Sequence, residues 1–144
     1  MTIFLDSTAL LARYVDGTDR DLITEEMSLD STWCASAMAL TEVTMVVDRM
    51  DLSRSRAASL RASIRREWDC FNVIPVDQLC LDRAVAIGRT QPVRAIEAIH
   101  LAAADRLPPT ISYATFDSNQ IGPALALGFR VVSAIVPSAG SARL

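Results

Sequence analysis

Hydrophobic positions follow two rhythms along this chain. Short apolar runs lie at residues 2–5, 32–35, 71–76, 110–116 and 129–134. Each is strand-length and bounded by turn or capping residues, as buried strands of a parallel sheet are. Between them the apolar residues recur at helical spacing. Residues 37–50 carry Ala39, Val43, Val46, Val47 and Met50, and residues 53–69 carry Ala57, Leu60, Ile64 and Trp68. Residues 93–107 carry Ile96, Ile99 and Ala103. Shorter helices are expected at 7–15 and 20–27, another after Asp77 to about residue 90, and a last one ending at Leu127.

The punctuation agrees with this division. Asp16-Gly17-Thr18-Asp19 is turn chemistry, Ser36 and Ser53 suit helix N-termini, and Pro92 and Pro108-Pro109 break helices. Pro75 suggests that the third strand is an edge or ends there. Gly122-Pro123 is expected to form a turn that interrupts or delays the last helix, and Gly128 to stop it. Strands alternating with helices predict an α/β domain over residues 1–136, with a mainly parallel, roughly five-stranded sheet covered on both faces. The small, polar tail at 137–144 is expected to fray.

Two runs end in an acid. Thr-Ile-Phe-Leu leads into Asp6, and Thr-Ile-Ser-Tyr-Ala-Thr-Phe leads into Asp117. Ligands of open α/β sheets bind beyond the carboxyl ends of strands, where the strand order reverses. If the first and fourth strands are neighbours, Asp6 and Asp117 face each other there. Asp6 taken alone also reads as a simple helix cap. Glu42 sits between Leu40 and Val43 in an apolar helix, where it could equally occupy the polar edge. Glu97 has Arg94 three residues before it and His100 three after, so an Arg94–Glu97 surface pair is one reading. His100, the only histidine, reads first as a packing residue.

Composition narrows the chemistry. The 144 residues are half apolar, and no apolar run approaches the roughly 20 residues of a membrane helix. No basic stretch precedes the first apolar run, so a secretory leader is not expected and the cytoplasm is the expected compartment. Cys34, Cys70 and Cys80 are odd in number and form no Cys-x-x-Cys pair, which points away from disulfides and zinc and toward reduced, partly buried core residues. The net charge of −3 weighs against a protein that coats nucleic acid nonspecifically. The chain has no Lys, and five Arg (54, 56, 61, 65 and 66) decorate one helix. They read as a solvated face, or alternatively as a surface for phosphate or an acidic partner.

Four acids therefore stand out: Asp6, Glu42, Glu97 and Asp117. Crowded carboxylates repel unless a cation relieves them, and an oxygen-only donor set points to Mg2+ or Mn2+ over Zn2+. Such a metal suits phosphodiester hydrolysis, with Ser7 or Thr8 available to orient a water or hold a carboxylate. A phosphatase using Asp6 as nucleophile is disfavoured, because Thr8 stands where a second acid is wanted and no Lys exists. No Gly-rich phosphate loop supports an NTPase.

The motifs also carry a resemblance. Phe-Leu-Asp-Ser-Thr-Ala-Leu-Leu-Ala at 4–12 resembles the opening of PIN-domain nucleases. Ser-Ala-Met-Ala-Leu-Thr-Glu-Val at 36–43, Val-Arg-Ala-Ile-Glu-Ala-Ile-His-Leu-Ala-Ala-Ala at 93–104 and Ala-Thr-Phe-Asp at 114–117 are similar to their later acidic motifs, in order. The size resembles VapC-like toxins of toxin–antitoxin pairs. The resemblance implies a three-layer α/β/α sandwich and a Mg2+- or Mn2+-dependent endoribonuclease acting on tRNA or rRNA. It further implies a homodimer neutralised by a small VapB-like antitoxin, and Asp6, Glu42, Glu97 and Asp117 as catalytic metal ligands. A catalytically impaired module that docks antitoxin or RNA is the alternative. The third acid is usually Asp in that family, and here it is Glu97.

Overall fold

The computed structural model describes residues 1–134. The expected tail at 137–144 lies outside the described residues, as does the stretch 135–136. The order is β1 (Thr2–Leu5), α1 (Ser7–Ala12), α2 (Thr18–Leu29), β2 (Thr32–Ser36), α3 (Ala37–Arg49) and α4 (Arg54–Trp68). Then come β3 (Asn72–Ile74), α5 (Gln78–Thr90), α6 (Ala95–Asp105), β4 (Ser112–Ala114), α7 (Ser118–Ala126) and β5 (Arg130–Val132).

The five strands form one parallel sheet in the order β3-β2-β1-β4-β5. β1 is central. Ile3, Phe4 and Leu5 are wholly buried, and alternation along the strand sends them to opposite faces. Ile3 and Leu5 join a core with Ala9 and Leu10 of α1, Ile23 and Met27 of α2, Val43 and Val47 of α3 and Ile64 of α4. Phe4 joins the other core with Cys80, Ala84 and Ile87 of α5, Leu101 and Ala102 of α6 and Ala124 of α7. There Tyr113 stacks between Phe4 and Phe129, with ring centroids 5.5 and 5.6 Å apart. Helices thus cover both faces, giving the expected three layers. Among the described residues no helix is long and apolar enough to cross a membrane.

Several boundaries differ from the sequence reading. The edge position of β3, ahead of Pro75, is as expected, but β3 and β5, the two edge strands, each span only three residues. β4 starts at Ser112, because Thr110 has φ 77°, a left-handed value no strand accommodates. α1 stops at Ala12, and its end tightens into i→i+3 bonds from Tyr14 N–H to Leu11 O and Val15 N–H to Ala12 O. α2 begins earlier than expected, with Asp19 and Asp21 in its first turn facing the positive end of the helix dipole. Cys70 is exposed, while Cys34 and Cys80 are buried.

The main correction concerns Gly122-Pro123. The expected interruption is absent: α7 runs continuously from Ser118 to Ala126 with Pro123 inside it. Proline there removes only the bond to the carbonyl of Asn119. Asn119 lies in the first turn and is exposed, so water can serve that carbonyl, while the Pro123 ring is buried. Asp117 therefore heads an unbroken helix.

Candidate active site

The strand order reverses between β1 and β4, and both expected acids stand there. Asp6 N–H is bonded to Ala114 O at 3.1 Å, so the end of β1 lies directly beside the end of β4. Asp6 has an extended backbone and caps α1, its Oδ1 accepting the Ala9 N–H at 2.9 Å. The same oxygen accepts the Thr8 hydroxyl at 2.6 Å, and Oδ2 accepts the Thr115 hydroxyl at 2.6 Å.

The two hydroxyls do more than serve Asp6. Thr8 Oγ1 accepts the Phe116 N–H at 2.8 Å, and Thr115 Oγ1 accepts the Asp117 N–H at 3.1 Å. Each threonine thus donates to the buried carboxylate and receives from the backbone of the β4–α7 turn. The β1–α1 and β4–α7 turns are stitched together through one carboxylate. This fixes Asp117, which caps α7 by accepting the Asn119 N–H at Oδ1.

Glu42 and Glu97 arrive from helices. Glu42, on α3, is bonded through Oε1 to His100 Nε2 on α6, and its Oε2 accepts the Ser7 hydroxyl at 3.3 Å. Glu97, at the start of α6, folds back on its own helix. Its Oε2 accepts the Arg94 N–H at 2.8 Å, and Oε1 accepts Arg94 Nε and Nη2 at 3.1 and 2.9 Å. The Arg94–Glu97 pair is therefore real but asymmetric: the Arg94 side chain is 83% exposed and that of Glu97 only 6%. From the third helical position the longer glutamate reaches back to cap the Arg94 N–H while its other oxygen takes the guanidinium.

A cavity of about 550 Å3 opens over this region, with Ser7, Thr8, Glu42, Arg94, Glu97, His100, Asp117 and Gln120 on its wall. It brings three of the four acids to one space. Asp6 is fully buried and is not among the residues on that wall. The electrostatics agree with this clustering. Burial raises the Asp6 carboxyl above the ordinary carboxylate range, against the Thr115, Thr8 and Ala9 hydrogen bonds. Tyr113, under the site, is pushed well up by burial and then by Asp6, Asp117, Glu42 and Glu97, so all four carboxylates act on one phenol.

Three participants were not legible as such in the sequence. Thr115 lies in an apolar run with no spacing signal beyond standing two residues before Asp117. Gln120 is buried, takes the Tyr113 hydroxyl at 2.5 Å and offers Nε2 to Asp117 Oδ2 at 3.4 Å. His100 does pack, as expected, but it also touches Glu42; its place one turn after Glu97 was the available signal. Ser7 and Thr8 each hold a carboxylate, one of the roles open to them.

The donor set meets a divalent cation's needs in kind. Every candidate ligand is a carboxylate oxygen, suited to a hard cation. Among the described residues no three His, Cys, Asp or Glu side chains converge tightly enough to hold a metal ion by themselves. That is at odds with an all-protein cage, whereas an ion such as Mg2+ keeps several waters and needs only one or two carboxylates. Lone pairs remain for this purpose. Asp6 accepts three hydrogen bonds, leaving one site on Oδ2. Each Asp117 oxygen accepts a single bond. Glu97 is as occupied as Asp6, its Oε1 filled twice by Arg94 and its Oε2 once, which leaves one site on Oε2.

No protein-family model and no curated protein matches the sequence. Solved structures do share its architecture. FitAcB from Neisseria gonorrhoeae superposes with a TM-score of 0.71 at 16% identity, over 91% of this chain and 96% of that one. The Mycobacterium tuberculosis VapC20, a sarcin–ricin-loop-cleaving toxin, gives 0.66 at 17% identity over 88% and 95%. A toxin–antitoxin complex from Klebsiella pneumoniae gives 0.65 at 17% identity over 83% and 91%. At these identities the likeness establishes the fold.

Proposed function

Starting from the PIN-domain fold shared with VapC- and FitB-type toxin structures, we propose that this chain is a metal-dependent endoribonuclease, the toxin of a toxin–antitoxin pair. One observation carries the reading. At the β1/β4 reversal, where such sheets bind ligands, an acidic cavity gathers Glu42, Glu97 and Asp117 over the buried Asp6.

Of Asp6, Glu42, Glu97 and Asp117, one or two would bind Mg2+ or Mn2+ directly and the others through its waters, Glu97 on release from Arg94. When bound, the cation would supply charge neutralisation at the scissile phosphate and a more acidic water. The chain's own residues prepare the place. Thr8 and Thr115 orient the Asp6 carboxylate and hold the turn that presents Asp117. Gln120 steadies Asp117 from within α7. Ser7 and His100 grip the two oxygens of Glu42. The Arg94 guanidinium, exposed at the rim, would meet a phosphate of an incoming RNA strand. A structured RNA such as tRNA or rRNA is the substrate class, a small VapB-like antitoxin the protein partner, a homodimer the assembly and the cytoplasm the compartment.

The test is cleavage of total RNA by purified protein with Mg2+, with Mn2+ and with EDTA, beside Asp6→Asn. Cleavage that needs the metal and disappears in the variant is expected. Cleavage that survives both EDTA and Asp6→Asn sinks the mechanism. A second reading, a binding module with impaired catalysis, is favoured by the commitment of Glu97 to Arg94. Tight RNA or antitoxin binding with no cleavage under either metal would select it.

A further inference from the structure

Ser36 stands at the N-cap of α3 with an extended backbone, yet its side chain makes no capping bond. A serine that caps contributes about 1 kcal/mol to its helix. Here the hydroxyl, fully buried, is turned instead to His100 Nδ1 at 3.1 Å. His100 is itself 1% exposed, and its other nitrogen meets Glu42. Three elements are thereby linked in one line: the end of β2, the middle of α6 and the second turn of α3.

The directions of these bonds follow from the groups. Glu42 as a carboxylate only accepts, so Nε2 carries the ring hydrogen. Among the described residues, the Ser36 hydroxyl has Nδ1 as its hydrogen-bonding partner, and a buried hydroxyl left without an acceptor is costly. Ser36 therefore donates to Nδ1, which fixes the Nε2–H tautomer. Ser7 holds the other oxygen of Glu42. Glu42 remains partly exposed, its side chain 25% accessible, on the wall of the acidic cavity.

We propose that His100 is a positioning residue for Glu42, oriented from behind by Ser36, and that this relay sets how Glu42 meets a divalent cation. The metal part rests on the functional reading above; the relay itself does not. Partners that orient a metal ligand from behind typically contribute 10- to 100-fold in affinity. A histidine that only filled space would not require Ser36 to forgo its cap.

Two measurements decide it. His100 is the only histidine, so its ring nitrogens are assigned without ambiguity in a long-range 1H–15N spectrum. A single Nε2–H tautomer is expected, perturbed by Ser36→Ala and by Glu42→Gln. A mixture of tautomers, or a spectrum indifferent to both substitutions, overturns the relay. Mn2+ binding is then measured by EPR on folded protein, with folding checked by circular dichroism. His100→Leu is expected to weaken Mn2+ binding about 10- to 100-fold, whereas His100→Gln, whose amide can still donate to Glu42, stays within about threefold of wild type. Equal losses in the two variants, or no loss in His100→Leu, contradict the positioning role. If wild-type protein binds no Mn2+, the metal reading fails, and the tautomer result still decides the relay.

Discussion

Replacing Thr115 by valine removes one hydroxyl from the centre of the site and almost nothing else. Thr115 is fully buried and the shapes match, so no cavity is opened. Two bonds disappear. The first is the 2.6 Å bond to Asp6 Oδ2, made to a buried carboxylate and worth about 1.5–3 kcal/mol. The second is the acceptor for the Asp117 N–H, worth about 1 kcal/mol. The sum, about 2–4 kcal/mol, corresponds to a fall in Tm of about 6–12 °C at the roughly 3 °C per kcal/mol of a chain this size.

The loss should depend on pH in a definite direction. The folded-state pKa of Asp6 is raised, so its contribution to stability is fully present below the ordinary carboxylate range and is lost as pH rises through the folded value. Removing Thr115 withdraws a bond that favours the ionised form and raises the folded pKa further. The difference between wild type and Thr115→Val is therefore expected to be larger at pH 8 than at pH 5. Urea unfolding of both proteins at the two pH values measures it. A difference below about 0.5 kcal/mol at pH 8, or one that is larger at pH 5, refutes the role assigned to Thr115.

Other expectations follow from the same contacts. Arg94→Ala should change stability by less than about 1 kcal/mol, because the guanidinium is largely exposed, yet tighten Mn2+ binding by freeing Glu97 Oε1; calorimetry of unfolding and of Mn2+ addition reads both. Glu67→Gln should cost about 2 kcal/mol at pH 7 in urea unfolding, since Glu67 takes two bonds from Arg13 at 2.5 and 3.1 Å and the Tyr14 hydroxyl at 2.7 Å. Burial alone would raise the Glu67 carboxyl, but the Arg13 and Tyr14 bonds hold it below the ordinary glutamate range. Its stabilisation is therefore present above that range and lost as pH falls through the folded value, so the cost of Glu67→Gln should shrink in acid.

The strands and helices were legible because burial imposes period on sequence. Asp6 and Asp117 were legible because each ends an apolar run, and the adjacency of β1 and β4, left open by the sequence, links them through Thr115. What stayed hidden has physical causes. Pro123 looks like a breaker, but within this short helix it removes a single bond, to the carbonyl of solvent-exposed Asn119 in the first turn. Thr115 carries no periodic signature, because its function depends on a residue 109 positions away. Ser36 reads as a cap, and only the arrival of α6 shows that its hydroxyl goes to His100. Glu97 reads as a peer of the other acids, yet its extra methylene lets it close on Arg94, which no local pattern distinguishes from an exposed pair.

Anomalous scattering from crystals soaked in Mn2+ tests the site most directly. A peak inside the cavity over Asp6, touching Asp117 and Glu42, is expected, and it should vanish in Asp6→Asn. Saturating Mn2+ that leaves this cavity empty, or that binds only at other carboxylates, contradicts the assignment of these residues as a metal centre.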